Sequence, residues 1–390
     1  MNRDPQHADI VVVGGGPCGA LTALLLAEAG RRVLLIEARG VDADIVDARA
    51  LALSWASRAR LERVGAWPVT LAVSHIDSVH ISQQGCWGRT VIGGADVGLA
   101  HLGVVVDYPA LTRAMDARLA AAGVEVMWGC RVTGIRQLAR YAELRCQSEV
   151  GERRVTCRLA VMAEGGALID QLPGITRQVF DYQQSALLAQ VATEQAPRGV
   201  AYERFSQSGP LALLPHGDGY MLVWTRSHQD AQRLQQADGP TLAAELQQAF
   251  GERQGRVLSV SRPALFPLAM RRASSLYSER VVLIGNAAQT LHPVAAQGLN
   301  LGIRDACALA EALSGASDPG AASALAAYAA MRRLDRRAVI GFTHGLMRVF
   351  ESHGMLANRV RGIGMNVLDS VPGLRRRFAG HLVFGVGVAS

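Results

Sequence analysis

The sequence predicts an α/β fold in which a β-sheet lobe is inserted and a helical C-terminal region follows. Three observations lead there. Residues 10–13 (IVVV) run into Gly14, Gly16 and Gly19, a helix-forming stretch and a second apolar run at 33–36 (VLLI). That order of strand, tight turn, helix and strand describes a parallel βαβ unit. Between about residues 76 and 102, and again from 182 to 267, short apolar runs alternate with polar residues and are punctuated by Gly and Pro, as strands are. Beyond Asp305 the chain turns helical and Arg-rich.

Composition bounds the alternatives. A chain of 390 residues can bury a large core and divides more naturally into two lobes than one. With 49% hydrophobic and 19% charged residues it reads as globular. There is no Lys, so all 40 basic residues are Arg, and the net charge of +7 suits anionic cofactors, anionic lipid or acidic partners as well as an ordinary soluble protein. No stripe of Arg and aromatic residues argues for nucleic acid. The cysteines, among them Cys18, Cys130 and Cys307, have no CxxC or Cys/His ligand spacing, so no metal site is expected and the thiols read as reduced in a cytoplasmic protein. The run at 10–13 is too short for a signal peptide, and no apolar stretch reaches the roughly 18 residues of a membrane span.

Taken in order, residues 10–13 form a strand buried on both faces, 20–29 a helix ended by Gly30, and 33–36 the second strand, followed by Glu37. Gly14, Gly16 and Gly19 fit GxGxxG; they allow a tight turn and let a pyrophosphate approach the helix N-terminus. Glu37 stands 18 positions after the last glycine, near the interval of about 20 for an acid that accepts bonds from ribose hydroxyls. The unit is Rossmann-like, and the fingerprint alone leaves NAD and FAD undecided.

Arg49 lies in the segment 47–53 (DARALAL), and residues 58–66 read as a helix. Residues 79–82 and 90–92 are strands of the second lobe; His75, His80, Trp87 and His101 either line a cavity there or pack ordinarily. Residues 109–122 form a helix, and 124–127 with Val132 return to the first lobe. The run 159–165 (LAVMAEG) is a strand ending at Glu164. Strands follow at 185–192, 201–205, 211–214 and 220–224, then a helix at 241–250 and an extended segment at 257–268. Residues 281–284 (VVLI) form a buried strand whose end at Gly285 admits a bulky ligand close to the backbone. Pro293, Gly298 and Asn300 break regular structure before a helix at 301–312.

Gly285, Asn286, His292 and Pro293 together resemble the FAD-dependent aromatic hydroxylases of the p-hydroxybenzoate hydroxylase type. Within them the chain is most similar to the ubiquinone-biosynthesis branch, where an Asn follows that Gly and His-Pro follows the small residues. The runs 181–193 (DYQQSALLAQVAT) and 203–215 (ERFSQSGPLALLP) resemble the same branch. The resemblance implies an FAD-binding Rossmann-like domain made of residues 1–72, 103–180 and 269–330. It implies a substrate domain of 73–102 and 181–268, and a helical region of 331–390. It also implies that Gly14, Gly16, Gly19 and Glu37 hold FAD. Arg49 would lie beside the flavin, Arg113 would contact FAD from the early part of its helix, Val132 would lie near the adenine, and Asn286 on a ribityl hydroxyl. Pro293 and the loop through Gly298, Leu299 and Asn300 would face the flavin ring. Glu164 stands where the family has Asp, and Thr112 where it often has Gln. No essential acid or base is assigned; His292 is a candidate for orienting a proton or a water, a structural turn being the alternative.

The reaction implied is insertion of one oxygen atom from O2 into the ring of a polyprenylated phenol, 2-polyprenyl-6-methoxyphenol, with NADPH or NADH as electron donor. A sister hydroxylase acting at another ring position or on another aromatic compound keeps every flavin motif. A non-catalytic FAD-binding subunit of a ubiquinone-biosynthesis complex is a third reading. Arg332, Arg333, Arg336, Arg337 and then Arg375 to Arg377, with the apolar tail 382–388, leave two expectations open. One is peripheral contact of a cytoplasmic protein with inner-membrane lipid or a partner. The other is a solvated helix face with a packing tail.

Overall fold

The computed structural model describes residues 6–85, 88–206, 208–351 and 355–386. Five parallel strands form the centre of an eight-stranded sheet, in the order Val281–Leu283, Gly151–Met162, Gln6–Val13, Val33–Ile36 and Glu125–Met127. The central runs are buried on both faces, with Ile10, Val11, Val12, Val161 and Val282 fully enclosed, which is why they read as unbroken apolar stretches rather than alternating ones. Helix Pro17–Glu28 lies against the sheet and packs on helices Tyr108–Ala121 and Gln297–Leu313. Strands Arg131–Gln137 and Ala142–Ser148 add an antiparallel meander to Gly151–Met162.

A second sheet has nine strands. Its path runs Gln289–Thr290, Ala264–Ala273, Arg177–Thr193, Gly219–Ser227, Leu211–His216, Val200–Phe205, Ser78–Gln83 and Arg89–Gly93, with Val257–Val260 also on Arg177–Thr193. Side chains alternate between its faces. Leu187, Leu213, Tyr220, Leu222 and Trp224 point to one side, where helices His228–Gln236 and Gly239–Phe250 cover them. Ala186, Leu188, Ala201, Ala212 and Val223 occupy the other face and look toward the first lobe. A three-stranded sheet of Ala50–Ser54, Gly103–Asp107 and Ser74–Ile76 stands between the lobes. It is absent from the sequence reading, although the run 104–106 is almost wholly buried.

Two expectations are corrected. Regular structure resumes at Gln297, not at 301, so Gly298 and Asn300 lie in the first turn of helix Gln297–Leu313. The break comes earlier, at Ala295 and Ala296, whose φ angles are 57° and 48°. The second correction concerns Arg332 and Arg336 on helix Ala322–Glu351, which do not lie on a solvated helix face. Arg332 is buried against Asp305 and Asp335, and Asp335 also takes Arg304 at 2.7 Å. Arg336 donates to Gln289 at 2.8 Å and to the Ala273 carbonyl at 2.7 Å. Two acids on facing helices attract guanidinium groups, whose forked donors satisfy several acceptors at once. Arg333 and Arg337 are exposed.

The C-terminal helices Met355–Ser370 and Pro372–Phe384 fold back over the second sheet. Ala379 and Val383 are buried with Ile92 and Leu102, and Arg375 pairs with Asp96 at 2.8 Å. Residues 387–388 of the expected tail lie outside the described residues. No helix among the described residues is long and apolar enough to cross a membrane.

Candidate active site

A single cavity of about 1150 Å³ runs from the glycine turn of the first lobe to the inner face of the second sheet. Its first end is built on close backbone approaches. Gly14 has φ of 100° and donates its N–H to the Ile36 carbonyl at 2.8 Å, which turns the chain out of the strand. A Cβ on Gly19 would sit 1.9 Å from the Gly14 carbonyl oxygen, so only glycine lets the helix begin there. Gly16 differs: its Cβ would meet nothing nearer than the Tyr108 hydroxyl at 3.8 Å, and it borders the cavity. That leaves backbone open to a bulky anion at the N-terminus of Pro17–Glu28, as a pyrophosphate requires.

Glu37 lines the same end; its carboxylate accepts the N–H groups of Gly15 and, at 2.7 Å, Arg39. Arg49 reaches the cavity and is held by Asp47 at 2.5 Å, with its guanidinium 4.8 Å from the centre of the Tyr108 ring. The hydrogen bond to Asp47 raises its pKa above the usual range. A smaller pocket of about 250 Å³ shares Gly16, Glu37 and Tyr108 with the cavity and includes Thr112. Val132 also borders the cavity. Arg113, in contrast, is exposed on its helix and borders neither space.

The middle is formed by the turn after Val281–Leu283 and by the N-terminus of Gln297–Leu313. Gly285, at φ of 55°, donates its N–H to Asp305 at 3.1 Å, and Asn286 next to it is exposed at the cavity wall. Pro293, Gly298, Leu299 and Asn300 line the wall as well. No side chain caps this helix, so the positive end of its dipole faces the cavity. The Asn300 amide is already committed: it accepts from Ser54 N–H at 2.9 Å and donates to the carbonyls of Ala52 and Ala296 at 3.1 and 2.8 Å. Its place is to lock the three-stranded sheet to the helix start. Glu164 lines the cavity while its carboxylate accepts the N–H groups of Gly166 and Ala167 at 2.8 and 2.7 Å.

His292 lies behind this wall. Its Nδ1 accepts the Val294 N–H at 3.3 Å, its ring meets Tyr182 edge to face at 5.1 Å, and it is only 1% exposed. Burial lowers its pKa to about 4, so the ring is neutral at pH 7. It does not border the cavity, and its Nε2 has no hydrogen-bond partner.

The far end is apolar. The sheet contributes Val79, Ile81, Ala201, Leu214 and Phe266, and the C-terminal helices close it with Phe342, Leu346, Met365, Phe378 and Leu382. The sequence reading placed none of these helical residues at the site. The histidines it offered sit elsewhere: the His75 and His101 rings meet at a tilt with centroids 4.3 Å apart, and His80 faces Arg253 at 3.0 Å on the outer side of the sheet. Trp87 lies outside the described residues. Sequence reasoning also missed Tyr108 and Glu203. The signal for Glu203 was an acid between Ala201 and Phe205, on the alternation that carries a strand's apolar face.

The residues present therefore fit FAD: an open glycine turn for a pyrophosphate, an acid beside it and an uncapped helix N-terminus in the middle of the same cavity. The comparisons agree. Residues 7–343 match the FAD binding domain family. The chain is 30% identical over 394 residues to the ubiquinone hydroxylase UbiL of Rhodospirillum rubrum, with 96% of this chain and 89% of that protein covered. It is 32% identical over 341 residues to the 3-demethoxyubiquinol 3-hydroxylase of Escherichia coli, with 85% of each covered. The crystal structure of p-nitrophenol 4-monooxygenase PnpA from Pseudomonas putida superposes with a TM-score of 0.80 at 19% identity, over 98% of this chain and 100% of that one. Sequence and fold thus place this chain in the FAD-binding monooxygenase family that contains the ubiquinone hydroxylases.

Proposed function

We propose that this protein hydroxylates the aromatic ring of a polyprenylated phenol, 2-polyprenyl-6-methoxyphenol, in ubiquinone synthesis, with NADPH or NADH as electron donor. The observation that carries the reading is the continuity of the cavity. A polar, glycine-lined end that fits FAD opens without a wall into an apolar end between the second sheet and the C-terminal helices. An aromatic head with a hydrocarbon tail matches that second half, and two relatives bear ubiquinone-hydroxylase names.

When bound, FAD supplies the redox chemistry that activates oxygen. Gly16 gives its pyrophosphate access to the backbone, on a turn that Gly14 and Gly19 make possible, and Glu37 presents carboxylate oxygens to ribose hydroxyls. Arg49 adds positive charge, Asn286 offers an amide to the ribityl chain, and Val132 offers backbone groups toward the adenine. The helix N-terminus at Gly298, Leu299 and Asn300 stabilises negative charge on the ring system, as such termini do for anions in general. Phe342, Leu346, Phe378 and Leu382 keep water from the reacting groups.

The E. coli relative's name favours a second reading, a sister hydroxylase acting at another ring position. Both are tested together. The purified protein is reduced with NADPH or NADH under anaerobic conditions, oxygen is readmitted with 2-methoxy-6-prenylphenol, and the product is identified by mass spectrometry and NMR. Hydroxylated product supports the reading and gives the ring position. A protein that holds FAD and consumes reductant but never adds oxygen to any prenylated phenol would overturn it.

A further inference from the structure

The sheet that floors the apolar end presents one charged side chain to the cavity among the described residues, Glu203. In the hydrogen-bonded register Glu203 stands between Ile81 and Ala212; beyond them come Thr90 on one side and Val223 on the other. Cross-strand partners project to the same face, and all of these residues line the cavity. The row is therefore apolar except for Glu203 and for Thr90, whose hydroxyl is taken by the Met365 carbonyl at 2.6 Å.

No described residue pairs with the Glu203 carboxyl, and burial alone pushes its pKa up to about 8. Its charged neighbours point away. Arg204 donates to the Ala249 carbonyl at 2.9 Å, and Arg253 with His80 occupies the outer face. The lining residues that the three C-terminal helices set over it are all uncharged. At the cofactor end, Arg49 is engaged by Asp47 and Glu164 by two backbone N–H groups. A carboxyl group that faces an apolar chamber with no protein partner keeps its hydrogen-bonding capacity for whatever enters the chamber. A ligand with a hydroxyl donor restores the missing bond.

We infer that Glu203 is the polar anchor of the substrate chamber, receiving the ring hydroxyl of a bound phenol and taking its proton. This rests on the phenol reading of the same site. In the step, the phenol O–H bond breaks and an O–H bond forms on the Glu203 carboxylate. The phenol oxygen keeps the electron pair, and no electron enters or leaves the two groups. The resulting phenolate is richer in electrons at the ring carbons where oxygen is to be added. A carboxylate with a raised pKa is a better base for a phenol than an ordinary one, since proton transfer is most effective between groups of similar acidity.

The test uses FAD-loaded wild-type protein with Glu203→Gln and Glu203→Asp. The probe is 2-methoxy-6-prenylphenol bearing a single isoprene unit, with 13C at the hydroxyl-bearing carbon. Affinity and the bound carbon shift are followed from about pH 6 to about pH 9, across the ionisation of Glu203. Wild type is expected to bind more tightly as pH rises, with the bound carbon moving toward its phenolate position. Glu203→Gln is expected to bind about tenfold more weakly at the alkaline end, the loss of one charge-assisted hydrogen bond, with a flat pH profile. Glu203→Asp should restore the pH dependence. Glutamine removes an ionisable group from an apolar site and keeps its shape, so folding is expected to survive.

A Gln variant with wild-type affinity and pH profile overturns the assignment, as does a wild-type protein that does not bind the phenol. Product analysis separates this from the proposed function. Binding as expected without oxygen addition removes the hydroxylase reading and leaves Glu203 as a phenol anchor. Oxygen addition by wild type and variant alike, with identical pH profiles, removes Glu203 and leaves the hydroxylase.

Discussion

Arg332 donates from Nε to a carboxylate oxygen of Asp305 across 2.6 Å, and both side chains are shut off from solvent. The other Asp305 oxygen accepts the N–H of Gly285 at 3.1 Å and the Gln289 amide at 2.8 Å. The turn that carries Asn286 is thereby fixed through one carboxylate to the long C-terminal helix, and distant parts of the chain set one wall of the cavity.

Asp305→Ala should destabilise the protein by about 3 kcal/mol or more, because it leaves a buried guanidinium short of one carboxylate and a buried N–H without its acceptor. Urea unfolding with an unchanged m-value is the measurement. A loss below about 0.5 kcal/mol, the size of an ordinary surface substitution, would show that the network does not carry the turn.

Gly16→Val and Gly19→Val should separate binding from folding. The first places its side chain in the cavity with no nearby protein atom to displace, so the protein folds while its affinity for flavin falls by about tenfold or more, and tenfold needs only about 1.4 kcal/mol. The second drives Cβ into the Gly14 carbonyl and lowers stability itself. Soluble Gly16→Val with a full complement of FAD would disprove the placement of the pyrophosphate.

Acid should weaken the fold through His292. Its folded pKa, about 4, lies below the ordinary value of 6.5. The unfolded chain therefore binds the proton first, and the contribution is full above pH 6.5 and is lost as pH falls toward about 4. The loss is at most about 3 kcal/mol. Stability measured from pH 7 down to pH 4 should fall less steeply in His292→Gln than in wild type.

Ala296→Gly should raise stability by up to about 1 kcal/mol, since alanine at its φ of 48° carries a left-handed strain that glycine does not. Thermal unfolding of the two proteins compared side by side checks this. A lower Tm for the glycine variant would mean that the added freedom of the unfolded chain outweighs the strain.

The glycine-turn end of the cavity was legible because its parts are local. Gly14, Gly16, Gly19 and Glu37 lie within one βαβ unit, where hydrogen-bond geometry dictates residue type at fixed spacing, and the strands at 10–13 and 33–36 announce themselves by being apolar on both faces. Asn286 and Pro293 were picked out by resemblance over a short stretch of chain, and both line the cavity. What the sequence could not express is which faces meet. Glu203 became significant only once strand register set it between Ile81 and Ala212, and Phe378 and Leu382 became walls only when the C-terminal helices folded over that sheet. Arg332 looked like surface charge until Asp305 and Asp335 were placed beside it. Side-chain type decides what a residue can do over a few neighbours. Long-range packing decides whether its charge is solvated, paired or left facing a ligand.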